Sequence, residues 1–259
     1  MIERALAGFV LAGALAFGAR TARALSPSGA VAALAVGTAA ASAGWGWAIL
    51  LIVFFFLSSA LSRYRRAARE ARIAGIVEKG DERDAQQVIA NGGVFAAGAV
   101  VAAATGNPMW AVAALGALAA AASDTWATEI GTLAGGVPRS LVSLQPLPPG
   151  TSGGVTVAGT TASVLGAGMV AAVAHLTGVG TAPGAVFFGG VAGSLADSLV
   201  GATVQERRWC DACAQPTERR VHSCNQPTRV VGGIPGARND FVNVVCTMVG
   251  AIVAVLAAR

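Results

Sequence analysis

Charged residues are scarce in this chain. They make up 12% of its 259 residues, against 54% hydrophobic residues. A soluble globular domain carries about 25% charged residues, so the composition excludes an ordinary soluble protein and leaves no room for a separate soluble domain. About eight membrane spans of ~20 residues fit this length. We therefore expect a single integral-membrane domain over residues 1–259.

The hydrophobic residues fall into runs that are separated by short polar segments. Such runs predict membrane-spanning helices, and their many alanines and glycines suit close helix packing in lipid. The first run could instead be a signal peptide, but the charges of Glu3 and Arg4 cancel and arginines follow it, which favours a spanning helix. The fold class is therefore predicted to be all-α, a polytopic membrane helix bundle with about 7–8 transmembrane helices. The predicted helices cover residues 3–19, 28–43, 45–62, 88–105, 109–131, 154–177, 183–204 and 240–258.

Charge is absent from every second loop between these helices. The loops near residues 44, 105–108 and 178–183 contain no charged residue, whereas the alternate loops hold nearly every arginine. The positive-inside rule places the charged loops in the cytoplasm and both termini outside. We expect a multi-pass protein of the cell inner membrane with its active site on the cytoplasmic face. The net charge of +5 is then a topology signal, and no nucleic-acid partner is predicted. The charged loops are 20–27, 63–87, 132–153 and 205–239.

Basic residues are concentrated in the loop at 63–87. Five arginines lie between residues 63 and 72, and this segment is predicted to be a helix that lies against anionic headgroups. Lys79 is the only lysine in the chain and precedes Gly80, where the backbone can bend closely around a ligand. Lys79 and Arg83 are therefore candidates for phosphate binding, with a cluster of surface charge as the alternative.

Four carboxylates lie inside or at the edges of the hydrophobic runs after this loop. Facing lipid, each would cost about 3 kcal/mol, so they should face the bundle interior and bind cations. The runs offer no buried basic partners, which favours a divalent metal, and the hard oxygen ligands favour Mg²⁺. Each carboxylate could instead cap a helix or pair with a nearby arginine. The four are Asp124, Glu129, Asp197 and Asp240.

Polar neighbours extend this cluster of oxygens. Ser198 follows Asp197, and Asn239 and Asn243 share a helix face beside Asp240. These side chains are candidates for nucleotide binding. Arg139, in the loop at 132–153, is a candidate that would neutralise phosphate charge.

A glycine-rich turn after two prolines opens the helix predicted at 154–177. It lacks the lysine of a Walker A loop, which excludes that motif. Exposed amides at the start of a helix still form an anion site, with a plain capped turn as the alternative. The candidate phosphate-binding residues of the turn are Gly150, Thr151, Ser152, Gly153 and Gly154.

The loop at 205–239 contains three of the four cysteines of the chain. Cys210-x2-Cys213 is followed after eight residues by His222-x-Cys224. Four such ligands in a reducing compartment predict a structural zinc site that folds an otherwise coreless loop. Reduced cysteines without metal are the alternative.

Several of these motifs occur together in one known family. They are Lys79-Gly80, Arg83-Asp84, Gln87, Asn91-Gly92-Gly93, Ser123-Asp124-Thr125-Trp126-Ala127-Thr128-Glu129-Ile130-Gly131, Pro138-Arg139, the turn at 149–154, Gly193-Ser194-Leu195-Ala196-Asp197-Ser198, Asn239-Asp240-Phe241-Val242-Asn243 and the Cys/His loop. The combination resembles the integral-membrane family of transmembrane protein 19 and the plastid phytyl-phosphate kinases, long labelled a domain of unknown function. The resemblance implies phosphorylation of a prenyl monophosphate to the diphosphate by a nucleoside triphosphate.

The sequence therefore leads to one expected function with two alternatives. The resemblance implies a membrane kinase that acts on a phytyl- or geranylgeranyl-type monophosphate and uses CTP or another nucleoside triphosphate, and the carboxylates add the expectation of Mg²⁺. Cytidylyl transfer to a lipid phosphate would need similar groups, and a cation-coupled transporter would also place acids near glycines. The expected partners are the prenyl-phosphate lipid, the nucleotide and the bilayer, with a homodimer as one option for assembly.

Overall fold

The computed structural model describes residues 2–73, 76, 82–180 and 182–259, and over these residues the chain is mostly helical. The all-α fold class is confirmed, because the strands contain only two to four residues each. The elements are α1 (Ile2–Thr21), α2 (Pro27–Ala43), α3 (Trp45–Arg63), α4 (Arg66–Ile73), α5 (Ala85–Thr105), α6 (Pro108–Leu133), β1 (Arg139–Ser140), β2 (Gly154–Val155), α7 (Val157–Leu176), α8 (Pro183–Thr203), β3 (Arg207–Cys210), β4 (Gln215–Thr217), β5 (Arg229–Gly232) and α9 (Asn239–Ala257).

Each predicted membrane helix is present within a few residues of its expected bounds. Among the described residues, six helices are long and apolar enough to cross a membrane, namely α1, α3, α5, α7, α8 and α9, and α2 is a shorter apolar helix. Helix α6 is the centre of the bundle, where it packs against α5, α7, α8 and α9. Every residue of α6 from 114 to 123 is buried. This alanine-rich helix therefore faces protein and little lipid.

Local capping explains where the helices next to the polar loops begin. Asp84 and Gln87 form a reciprocal capping box at the start of α5. Thr156 caps α7 by accepting a hydrogen bond from the amide of Gly159. Helix α7 thus begins at Val157, later than the predicted 154, because Gly154–Val155 pairs as a strand with Arg139–Ser140.

The Cys/His loop folds into a small antiparallel sheet that was not expected. Strand β3 pairs with both β4 and β5. The ends of the loop are tied together, because the amide of Glu206 donates to the carbonyl of Ala237 and that of Ile234 to the carbonyl of Val204. The strands are too short to show alternation of apolar and polar residues, which is why the sequence pattern did not reveal them.

Glycines allow α6, α8 and α9 to pack with their backbones nearly touching. A Cβ added at Gly193 would lie 2.4 Å from the Cβ of Ala120, and one added at Gly116 would lie 2.5 Å from the carbonyl oxygen of Gly250. Such contacts require glycine, since the neighbouring atoms belong to backbone or to alanine. The close packing brings the three helices that carry Asp124, Asp197 and Asp240 into one group.

Substitution of Gly250 tests this packing. A Cβ there would lie 2.5 Å from the Cβ of Ala120 and 2.6 Å from the carbonyl oxygen of Gly116. We expect Gly250→Ala to lower the free energy of unfolding by about 1–3 kcal/mol, as overpacking does elsewhere. Gly168→Ala is the matched control, since no atom lies within 4 Å of its added Cβ. Thermal unfolding of both variants in one detergent gives the comparison. A melting temperature for Gly250→Ala at or above that of the control would contradict the packing.

Candidate functional site

A polar cavity of about 360 Å³ opens at the end of the bundle where the long loops meet. Its walls come from α5, α6, α7, α8 and α9, from the end of α3 and one face of α4, and from the loops before α5, α7 and α9. The cavity therefore joins segments that are far apart in sequence. The predicted site residues that line it are Arg83, Asp124, Glu129, Gly150, Thr151, Ser152, Gly153, Gly154, Asp197, Ser198, Asn239, Asp240 and Asn243.

Two carboxylates of the cavity, Asp124 of α6 and Asp197 of α8, have side chains within hydrogen-bonding reach of each other. One oxygen of Asp197, Oδ2, is buried and finds no hydrogen-bond partner among the described residues. Two carboxylates in contact do not both stay ionised unless a cation compensates their charge. Without a cation, the pair binds a proton. A buried polar atom without a partner also needs an explanation, and a bound ion supplies one.

The start of α9 adds further oxygen ligands to this wall. Asp240 lines the cavity, and Asn243, one turn later, is buried and lines it too. The hydroxyl of Thr151 faces the same cavity and is buried without a hydrogen-bond partner within the described part of the chain. Carboxylate, amide and hydroxyl oxygens are the ligand types that Mg²⁺ accepts. The donor set therefore fits a magnesium ion, which Asp124, Asp197 and Asp240 would chiefly hold.

Glu129 differs from the other three carboxylates, and here the expectation of no buried basic partner was wrong. Its Oε2 lies 2.7 Å from Nη1 of Arg69, with both side chains about one-tenth exposed. Its Oε1 accepts a hydrogen bond of 2.6 Å from Ser62. Both oxygens are thus engaged by the chain itself. Glu129 holds α4 against α6, and a role as a metal ligand is not what this geometry favours.

The basic segment after α3 also departs from its prediction. It is helical as expected, but Arg69 is only 8% exposed and lines the polar cavity. Arg66 does lie on the exposed side, where it pairs with Glu70. One face of α4 therefore belongs to the site, and the arginines do not all contact headgroups.

The predicted phosphate-binding groups are partly in place. Arg83 lines the cavity, whereas Arg139 is absent from its lining and donates from Nη1 to the carbonyl oxygen of Leu144. Lys79 lies outside the described residues. In the glycine-rich turn, the amides of Thr151 and Gly154 donate to carbonyl groups of the turn itself. The turn does not open a helix directly, so an anion there would meet side chains and fewer amides than expected.

Three charged residues in the cavity were not singled out from the sequence. They are Arg69, Arg238 and Glu218. Arg238 directly precedes the α9 motif, so its neighbours were a usable signal. Glu218 lies in the Cys/His loop, and its Oε1 accepts hydrogen bonds from Ser152 and Gln205. No local pattern marks Glu218, because only the folding of the loop over the cavity brings it to the glycine-rich turn.

The predicted zinc ligands are close together. The ligand atoms of Cys210, Cys213, His222 and Cys224 all lie within 4.8 Å of one another. Sγ of Cys210 is 3.6 Å from Sγ of Cys224, which is 3.3 Å from Nδ1 of His222. Tetrahedral zinc with normal bond lengths separates its ligand atoms by about 3.5–3.8 Å. The four groups therefore fit a closed metal site, and the hydrogen bond from His222 lowers the pKa of the Cys224 thiol to about 6.

Comparison with known proteins agrees with the motifs. A family described as integral membrane protein DUF92 matches residues 10–251. An uncharacterized membrane protein of Methanocaldococcus jannaschii is 33% identical over 80% of this chain and 74% of its own length. Protein PGR of Arabidopsis thaliana is 28% identical over 93% of this chain and 92% of its own length. The chloroplastic protein VTE6 of the same plant is 26% identical over 90% of this chain and 65% of its own length. No solved structure matches the chain. The family resemblance seen in the sequence is confirmed.

The contact between Glu129 and Arg69 can be tested by neutral substitution. We expect Glu129→Gln to lower the free energy of unfolding by about 3–5 kcal/mol, because it leaves a buried guanidinium without its carboxylate. Glu70→Gln on the same short helix is the control. Its partner is Arg66 and both side chains are about half exposed, so the change should stay below ~1 kcal/mol. Denaturation and limited trypsin cleavage at the arginines of α4 measure both variants. Equal effects would show that the buried pair does not hold α4.

Proposed function

We propose that this chain, which belongs to the DUF92 family of integral membrane proteins, is a membrane kinase. It would transfer phosphate from a nucleoside triphosphate to a prenyl monophosphate. The observation that carries the proposal is the pair of carboxylates, Asp124 and Asp197, in contact within an oxygen-lined cavity. The likeness to the phytyl-phosphate kinases, and the match to protein VTE6, support the substrate class. CTP is the donor that the resemblance favours.

The reaction requires little chemistry from the protein. An ionised oxygen of the lipid phosphate attacks the γ-phosphorus of the nucleotide, and the bond from that phosphorus to the β–γ bridging oxygen breaks. The nucleoside diphosphate leaves with the electron pair, and no proton must be removed. Catalysis then consists of positioning and charge neutralisation, as is general for phosphoryl transfer.

The acidic and the basic residues of the cavity would have different roles in this reaction. When held by Asp124, Asp197 and Asp240, Mg²⁺ would neutralise charge on the triphosphate. Arg83 and Arg238 line the same cavity and would neutralise the remaining phosphate charge, whereas Arg69 is paired with Glu129. Thr151 and Asn243 offer uncharged donors. Lys79 remains a proposed phosphate ligand from the segment before Arg83.

We infer the orientation of the protein from the position of its arginine-rich loops and from the compartment in which nucleotides occur. The cavity opens at the end of the bundle that carries the arginine-rich loops, and these loops are expected in the cytoplasm. We therefore propose a cell-membrane enzyme whose cavity faces the cytoplasm and whose two termini lie outside.

Neutralising either carboxylate of the pair should slow the reaction strongly. We expect Asp124→Asn and Asp197→Asn each to lower the rate by about 10²-fold or more, as loss of a group that stabilises the transition state does. Asp211→Asn is the control, because that carboxylate is 67% exposed and pairs with Arg229 in the Cys/His loop. The assay uses the whole protein in nanodiscs with Mg²⁺, prenyl monophosphate and CTP that is labelled at the α- or the γ-phosphate.

The position of the label separates the alternative functions. Label from the γ-phosphate in a prenyl diphosphate supports the kinase. Label from the α-phosphate in the lipid would identify a cytidylyltransferase and contradict the proposal. Absence of turnover, together with cation-driven flux in proteoliposomes, would identify a transporter. Equal loss in Asp211→Asn would show that the assay reports stability and not the site.

We also propose that Cys210, Cys213, His222 and Cys224 hold a structural zinc ion. The three-stranded sheet has little core of its own, so metal binding would supply much of its folding energy. Through Glu218, the folded loop contacts Ser152 at the rim of the cavity. The zinc would therefore act on the reaction only by holding the loop in place.

Elemental analysis tests the zinc site. The purified protein should contain about one zinc per chain, and Cys224→Ser should lose it and become sensitive to trypsin at the arginines after β4. Cys246→Ser is the matched control, since Cys246 is buried in α9 and away from the four ligands. Unchanged zinc content in Cys224→Ser would contradict the assignment.

A further inference from the structure

A second cavity, almost wholly apolar, lies between α1, α2, α3 and α5. It has a volume of about 110 Å³ and follows α1 from Gly8 to Ala19. Eleven residues of helix extend about 16 Å, so this is a long and narrow slot parallel to the helices. Its walls include Leu11, Leu15, Val36, Leu51 and Phe54.

The slot and the polar cavity share one boundary. Arg83, Gln87 and Asn91 line both of them, whereas Val88 and Gly92, which follow Gln87 and Asn91 in the sequence, line only the slot. Gln87 and Asn91 are one helical turn apart and thus lie side by side. Among the described residues, the charged and amide side chains of the slot are therefore all at the end that joins the nucleotide-sized cavity.

The chain fixes this junction firmly. The amide of Arg83 donates to the carbonyl of Ala24, and the carbonyl of Arg83 accepts from the amide of Ser26. A Cβ at Gly29 would lie 2.0 Å from the carbonyl oxygen of Arg83, so α2 approaches this residue as closely as glycine allows. The guanidinium lies 5.9 Å from the ring of Phe55, another slot residue. The cation is thus held where an apolar wall ends.

We propose that the slot binds the hydrocarbon tail of a single-chain lipid phosphate whose headgroup lies against Arg83, Gln87 and Asn91. A cation and two amides at the end of an apolar slot complement an anionic head on an apolar tail. The narrow shape suits one chain and not the paired chains of a bilayer phospholipid. Bound in this way, the phosphate would reach the cavity that Asp124 and Asp197 line. The inference rests on the proposed function and adds the place of its lipid substrate.

Filling the slot should block the tail. Ala33 lines it, whereas Ala35, two residues along α2, is exposed and does not. The probe is a prenyl monophosphate with a photoreactive group at the far end of the tail, applied to the whole protein in nanodiscs without nucleotide. We expect labelling on the slot residues of α1, α2 and α3 and a loss of about tenfold in Ala33→Phe, equivalent to ~1.4 kcal/mol of binding. The extent of labelling of Ala35→Phe should equal that of the unmodified chain.

Several outcomes would overturn the inference. One is labelling of the outer face of α1, or of α7 and α8. Another is equal labelling of the two variants. A third is that phosphatidylglycerol competes with the probe as effectively as unlabelled prenyl phosphate does. The position of the label in the unmodified chain decides the matter even if Ala33→Phe does not fold. Labelling of the slot without phosphoryl transfer would sustain the tail site and reject the kinase. Transfer to a long-tailed substrate at equal rates in both variants would sustain the kinase and reject the tail site.

Discussion

The contact between Asp124 and Asp197 is the constraint on which the rest of the site depends. Two acidic side chains from different helices do not meet in a partly buried place without compensation, because their mutual repulsion adds to the cost of leaving water. The surrounding structure must therefore force them together, and something positive must accompany them. The first requirement is met by glycine packing in the bundle. The second would be met by the proposed Mg²⁺ ion, for which the cavity lining offers oxygen ligands.

The glycine packing explains why an alanine-rich helix is central. Helix α6 presents backbone and methyl groups to α8 and α9, and a Cβ at Gly193 or Gly250 would clash with Ala120. Small residues bring backbones close in lipid, where no water-driven collapse assists folding. In this packing Asp124 and Asp197 come within hydrogen-bonding reach of each other. The same composition that identifies a membrane protein thus also builds the polar site at its edge.

The sequence was sufficient for the membrane helices and for most of the cavity, but not for the pairing of charges. Hydrophobic runs and arginine-rich loops locate helices because each depends on local composition. Glu129 was grouped with Asp124 because both lie at the end of α6, yet Arg69 from α4 neutralises it. Glu218 was missed because its place depends on how the Cys/His loop folds. Such contacts join residues from separate segments, and spacing along the chain does not encode them.

The two cavities together separate the chemical tasks by depth in the membrane. The polar cavity gathers charge from four helices and the loops, where water and nucleotide are available. The slot offers apolar walls between the first helices, where hydrocarbon is the solvent. Among the described residues, Arg83 and the face of α5 that carries Gln87 and Asn91 belong to both. In the proposed reaction, a water-soluble donor and a lipid acceptor would meet along that face without either leaving its own phase.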